Sequence, residues 1–219
     1  MNYARLKPEI AVERLIKNLR SKGISDERVL DAFRKTPRHL FVDAALQSQA
    51  YDDNALPIGF SVTISQPYVV ALMTQLLELQ GGEKILEIGT GSGFQAAILA
   101  QFTRRVYTIE RHRELAEVTR KKLRALNYYN ITFKTGDGTK GWPQHAPFDR
   151  IIVTAGAPTV PQALSQQLAV DGRMIIPAGS RASQTLDVFD KTEQGISKRS
   201  VGNVVFVPLI GENGWQENR

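Results

Sequence analysis

The chain of 219 residues contains no cysteine. That excludes a disulfide scaffold, a thiolate nucleophile, an iron–sulfur cluster and any cysteine-based zinc site. Long apolar runs are also missing; none approaches the roughly 18 residues that a membrane-spanning helix needs. The opening stretch MNYARLKPEIAVERL carries charges where a secretory signal would carry its apolar core. These absences imply a reducing compartment, the cytoplasm in a bacterium, with no membrane partner. Only three histidines occur, at 39, 112 and 145. They are scattered, read as surface or packing residues, and no metal is expected. Composition is otherwise ordinary, 42% hydrophobic and 23% charged, which argues against disordered and fibrous classes. A chain of this length buries roughly 70% of its unfolded surface and needs no staple. One domain spanning 1–219 and acting as a monomer is expected.

The net charge of +6 raises the question of nucleic acid. Its distribution answers it. Residues 1–40 and residues 104–124 each carry a net +5, and the remainder is acidic. Both basic stretches have helical periodicity, so they read as solvated helix faces. No finger or RNP-like motif accompanies them, and no nucleic-acid partner is expected.

Two regions differ in pattern. Residues 1–80 hold helices and a loop. In 9–22, Ile10, Leu15, Ile16 and Leu19 form one stripe and Gly23 is a candidate stop. Ser25 is a candidate cap for a second helix carrying Val29, Leu30 and Phe33. Residues 51–66 (YDDNALPIGFSVTISQ) follow neither period and read as an ordered, functional loop. Pro67 opens a third helix. From Gly81 onward strands and helices alternate: KILEI (84–88), RVYTIE (105–110), a helix over 112–127 with Leu115, Val118, Leu123 and Leu126 inward, ITFKT (131–135), DRIIVTA (149–155), a helix near 160–169 and GRMIIPAG (172–179). TLDVFD and NVVFVPL then follow without a helix between them. The alternation predicts an α/β fold, a doubly wound, mostly parallel sheet with a reversed strand near the C-terminus at one sheet edge.

The glycine turn carries the chemistry. KILEI runs into Gly89-Thr90-Gly91-Ser92-Gly93 and then a helix, placing glycine backbone where open α/β sheets bind nucleotide-like ligands. A dinucleotide fingerprint fits Gly91, Gly93 and Ala96, so an NAD(P)-dependent reductase is one reading. Gly89 comes two positions too early for that register, and Glu87 sits inside the strand end. The string E-x-G-x-G-x-G suits a cofactor with a charged amino-acid tail and no pyrophosphate, as in S-adenosyl-L-methionine. Glu110 closes the second strand, where an acid can accept from both ribose hydroxyls. Asp137, between two glycines after the third strand, is placed to reach an adenine amino group. A serine hydrolase is excluded by the lack of a G-x-S-x-G elbow. A plain binding module remains the non-enzyme alternative.

LEIGTGSGFQAAILA (86–100), TISQPYVVALM (63–73), GDGTKGW (136–142), FDRIIVTAGAP (148–158) and PRHLFV (37–42) resemble the protein-L-isoaspartate O-methyltransferases, with similarity from residue 10 to about 210. The resemblance implies methyl transfer from S-adenosyl-L-methionine, leaving S-adenosyl-L-homocysteine. The acceptor would be the free α-carboxylate of isoaspartyl residues in damaged peptides and proteins, starting their repair. It implies Glu87, Gly89, Gly91 and Gly93 at the methionine end of the cofactor, Glu110 at the ribose, and Asp137 and Gly138 at the adenine. Thr63 and Ile64 would border the reacting methyl beside Ser65, the family's active-site serine. Pro57, Ile58 and Gly59, with Ser65, would present the loop to an extended peptide substrate. The sequence departs from the family at Phe94, where tyrosine is frequent, at Ser61-Val62 in place of Gly-Gln, and at Val205 in place of an arginine.

Overall fold

The structure is a computed structural model that describes residues 7–217. Helix α1 (Pro8–Ser21) starts on a proline, whose missing N–H is no loss at a first helical position, and Gly23 follows it at φ 96°. Its buried stripe is Val12, Leu15, Ile16 and Leu19. Ile10 lies two residues off that i, i+3, i+4, i+7 series and is 55% exposed, so it is not part of the stripe. Helix α2 (Glu27–Lys35) is capped by Asp26, which accepts from the Arg28 N–H, and not by Ser25. The Ser25 and Asp26 amides instead donate to Gln75 Oε1.

Residues 51–66 are more regular than their sequence implies. They contain a two-stranded ribbon, β1 (Leu56–Pro57) against β2 (Thr63–Ile64), closed by a turn in which Val62 N donates to Gly59 O. Phe60 and Ser61 occupy that turn at φ 53° and 56°. Helix α3 (Pro67–Leu76) follows, and its Tyr68 amide is capped from a distance by Asp53 Oδ1 at 2.8 Å.

The α/β half is built on β3 (Lys84–Ile88), α4 (Phe94–Leu99), β4 (Arg105–Glu110), α5 (Arg113–Ala125), β5 (Ile131–Thr135), β6 (Phe148–Val153), α6 (Gln162–Gln167), β7 (Leu168–Gly179), β8 (Gln184–Thr192) and β9 (Gly195–Val204). The sheet order is β5-β4-β3-β6-β7-β8-β9, with β3 to β7 all parallel. Alternation along each strand splits the core in two. Ile85, Val106, Ile152 and Ile175 join the N-terminal helices, α4 and α5 on one face. Leu86, Ile109, Ile151 and Met174 pack with Phe148 and Leu164 on the other. On α5, Leu115, Thr119 and Leu123 face inward at spacings of four, which leaves Val118 on the solvent side, 56% exposed, contrary to expectation.

Two C-terminal expectations change. The reversed strand is β8, antiparallel to both neighbours, so the edge strand β9 runs with the parallel set. That edge strand is GISKRSVGNV, polar and almost wholly exposed. The apolar stretch expected as the last strand pairs with β8 through Asn203 and Val204 alone among the described residues. Beyond them the chain leaves the edge and crosses the carboxyl ends of the strands, where Gly156 N donates to Val207 O and Leu209 N to Gly156 O. No helix among the described residues is long and apolar enough to cross a membrane.

Candidate active site

Strand order reverses at β3, whose neighbours are β4 and β6, and the crevice beyond their carboxyl ends is where such sheets bind ligands. A cavity of about 380 Å³ occupies it. Its floor is Gly89, Thr90 and Gly91 after β3, Glu110 at the end of β4, Gly138 after β5 and Thr154 after β6. Ile64, Met73, Phe94, Ile109 and Leu209 supply apolar walls. The turn needs glycine for two different reasons. At Gly89 a Cβ would lie 2.4 Å from Thr154 Oγ1, and the backbone sits at φ 96°. At Gly93 a Cβ would lie 2.7 Å from Thr119 Cγ2, so this glycine lets α4 pack on α5.

Two acids sit at the strand ends in different surroundings. Glu110 is 5% exposed and lines the cavity. One carboxylate oxygen accepts from Gly91 N at 2.9 Å and the other from His112 N at 3.0 Å. Each oxygen has two acceptor positions, so both retain one for a ligand hydroxyl. Glu87 stands opposite Thr108 in the β3–β4 register and is fully buried. Thr108 Oγ1 donates to its Oε2 at 2.5 Å, and Oε1 has no partner among the described residues. Burial pushes its pKa from 4.5 up to about 8, against the Thr108 hydrogen bond and with the Glu110 charge. Glu87 therefore lies beneath the cradle, not on its surface.

A second cavity of about 520 Å³ joins the first. Thr63, Ser65, Val69, Thr154, Phe206 and Val207 line both. Ser65 is half-buried at this junction. Its carbonyl accepts from Arg38 Nη2 at 2.8 Å, and its hydroxyl makes no protein hydrogen bond among the described residues. The helix that starts at Pro67 takes its side-chain cap from Asp53, so Ser65 does not serve as that cap. Arg38 itself is 1% exposed, donates to Ala50 O as well, and packs over the Phe94 ring. Burial pulls its pKa down to about 9.

The structure brings Thr63, Ile64, Ser65, Gly89, Gly91, Glu110 and Gly138 together around the first cavity. It does not bring the others. Glu87 is sealed below the floor, and Gly93 is spent on helix packing. Asp137 turns toward the C-terminal segment: its Oδ1 accepts from Thr139 N and Oγ1, and its Oδ2 from Glu212 N at 2.8 Å. Burial raises its pKa, but these hydrogen bonds outweigh it and hold the carboxyl below its usual range. Pro57, Ile58 and Gly59 fall outside both cavities, because the ribbon puts Pro57 opposite Thr63 and leaves the turn at the mouth. The loop's contribution comes from Phe60 to Ser65, with the Phe60 ring 5.8 Å from the ring of His112.

Two groups of lining residues escape the sequence reading. His112 reads as surface, yet it lines the first cavity. The 205–210 segment reads as a strand, and its apolar run was the available signal. Phe206 to Ile210 line the first cavity, and Glu217, ion-paired with Arg111, borders it.

The comparisons with known proteins agree in direction. The family model described as Protein-L-isoaspartate(D-aspartate) O-methyltransferase (PCMT) matches residues 10–214. The chain is 56% identical to Protein-L-isoaspartate O-methyltransferase 1 of Syntrophobacter fumaroxidans, over 90% of this chain and 92% of that one. It is 53% identical to the Protein-L-isoaspartate O-methyltransferase of Trichlorobacter lovleyi, over 96% and 98%. A solved protein-L-isoaspartate O-methyltransferase superimposes with a TM-score of 0.84 at 30% identity, covering 93% of this chain and 67% of that one. A Plasmodium falciparum protein described by the same activity, solved in complex with S-adenosyl-L-homocysteine, gives 0.79 at 25% identity over 90% and 97%.

Proposed function

The chain belongs to the protein-L-isoaspartate(D-aspartate) O-methyltransferase family, and from that footing we propose how its residues divide the work. The enzyme transfers a methyl group from S-adenosyl-L-methionine to the free α-carboxylate of L-isoaspartyl residues in damaged peptides and proteins, which initiates their repair. The first cavity takes the cofactor, and the second takes the peptide. The observation that carries this division is their meeting at Ser65, with the buried Glu110 lining the first cavity and not the second.

The residues present suit such a cofactor. Glu110 offers two acceptor positions to a vicinal diol, Gly89 and Gly91 give backbone that a ligand can approach closely, and Ile64, Ile109 and Leu209 offer apolar walls to a flat base. When bound, the cofactor supplies an electrophilic methyl on a positively charged sulfur. The attacking carboxylate has an ordinary pKa near 3.5 and is already ionised at neutral pH. The protein need not remove a proton. Its residues align two reactants and exclude water, and alignment of this kind is worth roughly 7–11 kcal/mol.

Ser65 donates its free hydroxyl to the carboxylate, holding one oxygen so that the other faces the methyl. Thr63 and Thr154 border the same junction. The enzyme acts as a monomer in the cytoplasm: one chain lines both cavities, and the absence of cysteine suits a reducing compartment.

The test is tritiated-methyl incorporation into paired synthetic peptides that differ only in an isoaspartyl or an aspartyl link. The isoaspartyl link carries its carboxylate directly on the α-carbon; the aspartyl carboxylate stands one methylene further out. A displacement of about 1 Å costs a hundredfold in an aligned reaction, so the isoaspartyl peptide reacts at least a hundredfold faster. Equal rates on the pair would refute the assignment of the substrate.

A further inference from the structure

The second cavity differs from the first in one respect: it has no charge. The first is bordered by Glu110, Arg111, His112 and Glu217. Among the described residues, none of the seventeen lining the second is charged, although 23% of the chain is. A random surface of that size would hold about four charges. Instead Val69, Leu72, Leu186 and Phe206 form its body, with Gln66, Tyr68 and Asn203 as neutral polar groups. The acids nearest in sequence to its lining, Asp187 and Asp53, are already engaged: Asp187 by Lys198 Nζ at 2.8 Å and by the Ser200 hydroxyl, and Asp53 by Lys22 Nζ at 2.5 Å and by the Tyr68 amide. At the rim, Val201 is 38% and Val205 77% exposed. Single exposed valines are unremarkable, but two beside one apolar cavity form a patch of the kind that marks binding surfaces.

We propose that this cavity is a side-chain subsite that selects isoaspartyl substrates carrying an uncharged apolar or aromatic residue next to the isoaspartyl, with Val205 as the selecting residue at its rim. The inference rests on the proposed division of the two cavities. Continuity supports the occupant: a carboxylate held at Ser65 brings the adjoining residues of its own peptide beside the space that Ser65 also borders. The volume of about 520 Å³ exceeds what one carboxylate branch fills. A charged flanking side chain entering it would shed water and find no opposite charge, whereas an apolar one would bury surface at no polar cost.

The experiment uses isoaspartyl hexapeptides identical except for the residue preceding or following the isoaspartyl, which is Leu, Tyr, Lys or Glu in turn. Values of kcat/KM come from tritiated-methyl transfer. On the flank that enters the cavity, Leu and Tyr exceed both Lys and Glu by tenfold or more. Val205→Arg raises the Glu peptide relative to the Leu peptide by tenfold or more, with a gain that added salt removes. Val205→Glu does the same for the Lys peptide. Affinity for S-adenosyl-L-homocysteine, measured by calorimetry, stays at the wild-type value in both variants because Val205 does not line the first cavity. Equal kcat/KM for all four residues on both flanks, or a ranking unmoved by both variants, overturns the subsite alone. Failure to methylate any isoaspartyl peptide while the cofactor product still binds overturns the two-cavity reading and the subsite with it.

Discussion

Replacing Glu87 by glutamine removes a titration that works against the fold at neutral pH. The folded carboxyl has a pKa near 8 and the ordinary value is 4.5. A carboxyl whose pKa rises on folding binds its proton more tightly in the native state. Its stabilising contribution is therefore complete below about pH 4.5 and is lost as pH rises through about 8. One pKa unit corresponds to about 1.4 kcal/mol. Between pH 5 and pH 9 the wild-type chain loses on the order of 4 kcal/mol from this group alone, and Glu87→Gln loses none of it. Glutamine keeps an oxygen for the 2.5 Å hydrogen bond from Thr108 and is close to isosteric. The assay is urea unfolding of both proteins at half-unit steps of pH, read as the difference between them so that every other titration cancels. The variant should gain on the wild type steadily from pH 5 to pH 8 and level off above it. Parallel profiles would show that Glu87 ionises normally in the folded protein despite its burial and unpartnered Oε1.

Three further outcomes follow from the site. Ser65→Ala lowers kcat tenfold or more, with cofactor affinity and unfolding midpoint nearly unchanged, because Asp53 caps the helix; a loss of stability above about 1 kcal/mol would reassign Ser65 to structure. Glu110→Ala weakens S-adenosyl-L-methionine binding by about 1.5–3 kcal/mol in calorimetry, the scale of hydrogen bonds to a charged group, and an unchanged Kd would remove Glu110 from the cofactor site. Gly93→Ala destabilises the fold by about 1–3 kcal/mol in chemical denaturation, since its Cβ would meet Thr119 and Leu123 at 2.7 and 2.8 Å with φ at 84°; wild-type stability would mean that α4 and α5 yield freely.

How far the sequence was legible depended on how local each cause was. KILEI and RIIV announced buried parallel strands because both faces are covered, and both lie at the centre of the sheet. GISKRSVGNV announced nothing. It is an exposed edge strand, held by backbone pairing to β8 and carrying no apolar alternation. The apolar segment after it was visible, but its hydrophobicity serves the cavity wall and not a ladder. Site residues divide in the same way. Gly89, Gly91 and Glu110 owe their places to the ends of two adjacent strands, a local consequence of the βαβ order. Asp137 had the same credentials, and a contact from Glu212, 75 residues later, claims its carboxylate. Glu87 was recognised as the acid of the motif, but strand alternation points it to the face that α4 and the N-terminal helices cover. No spacing rule reports which side of a strand end will be sealed.

The neutrality of the junction fits the reaction proposed for it. Among the described residues, Thr63, Ser65, Val69, Thr154, Phe206 and Val207 are the ones common to both cavities, and none can carry a charge. A lysine there would grip the carboxylate as an ion pair, and that grip would weaken as the negative charge leaves in the transition state. Such binding favours the ground state and slows the step. An acid there would repel the nucleophile. In the proposed division of the cavities, hydroxyls would orient the carboxylate with single hydrogen bonds that cost little to loosen, while Val69, Phe206 and Val207 would keep water from competing for the methyl. Charge would lie instead where nothing changes during transfer: Glu110, which lines the first cavity and not the second, is fixed by the amides of Gly91 and His112. On the proposed reading the chain separates tight binding, through a rigid acid, from reaction, through neutral groups at a junction. That separation would account for a transferase site with no histidine among the described residues where its two cavities meet.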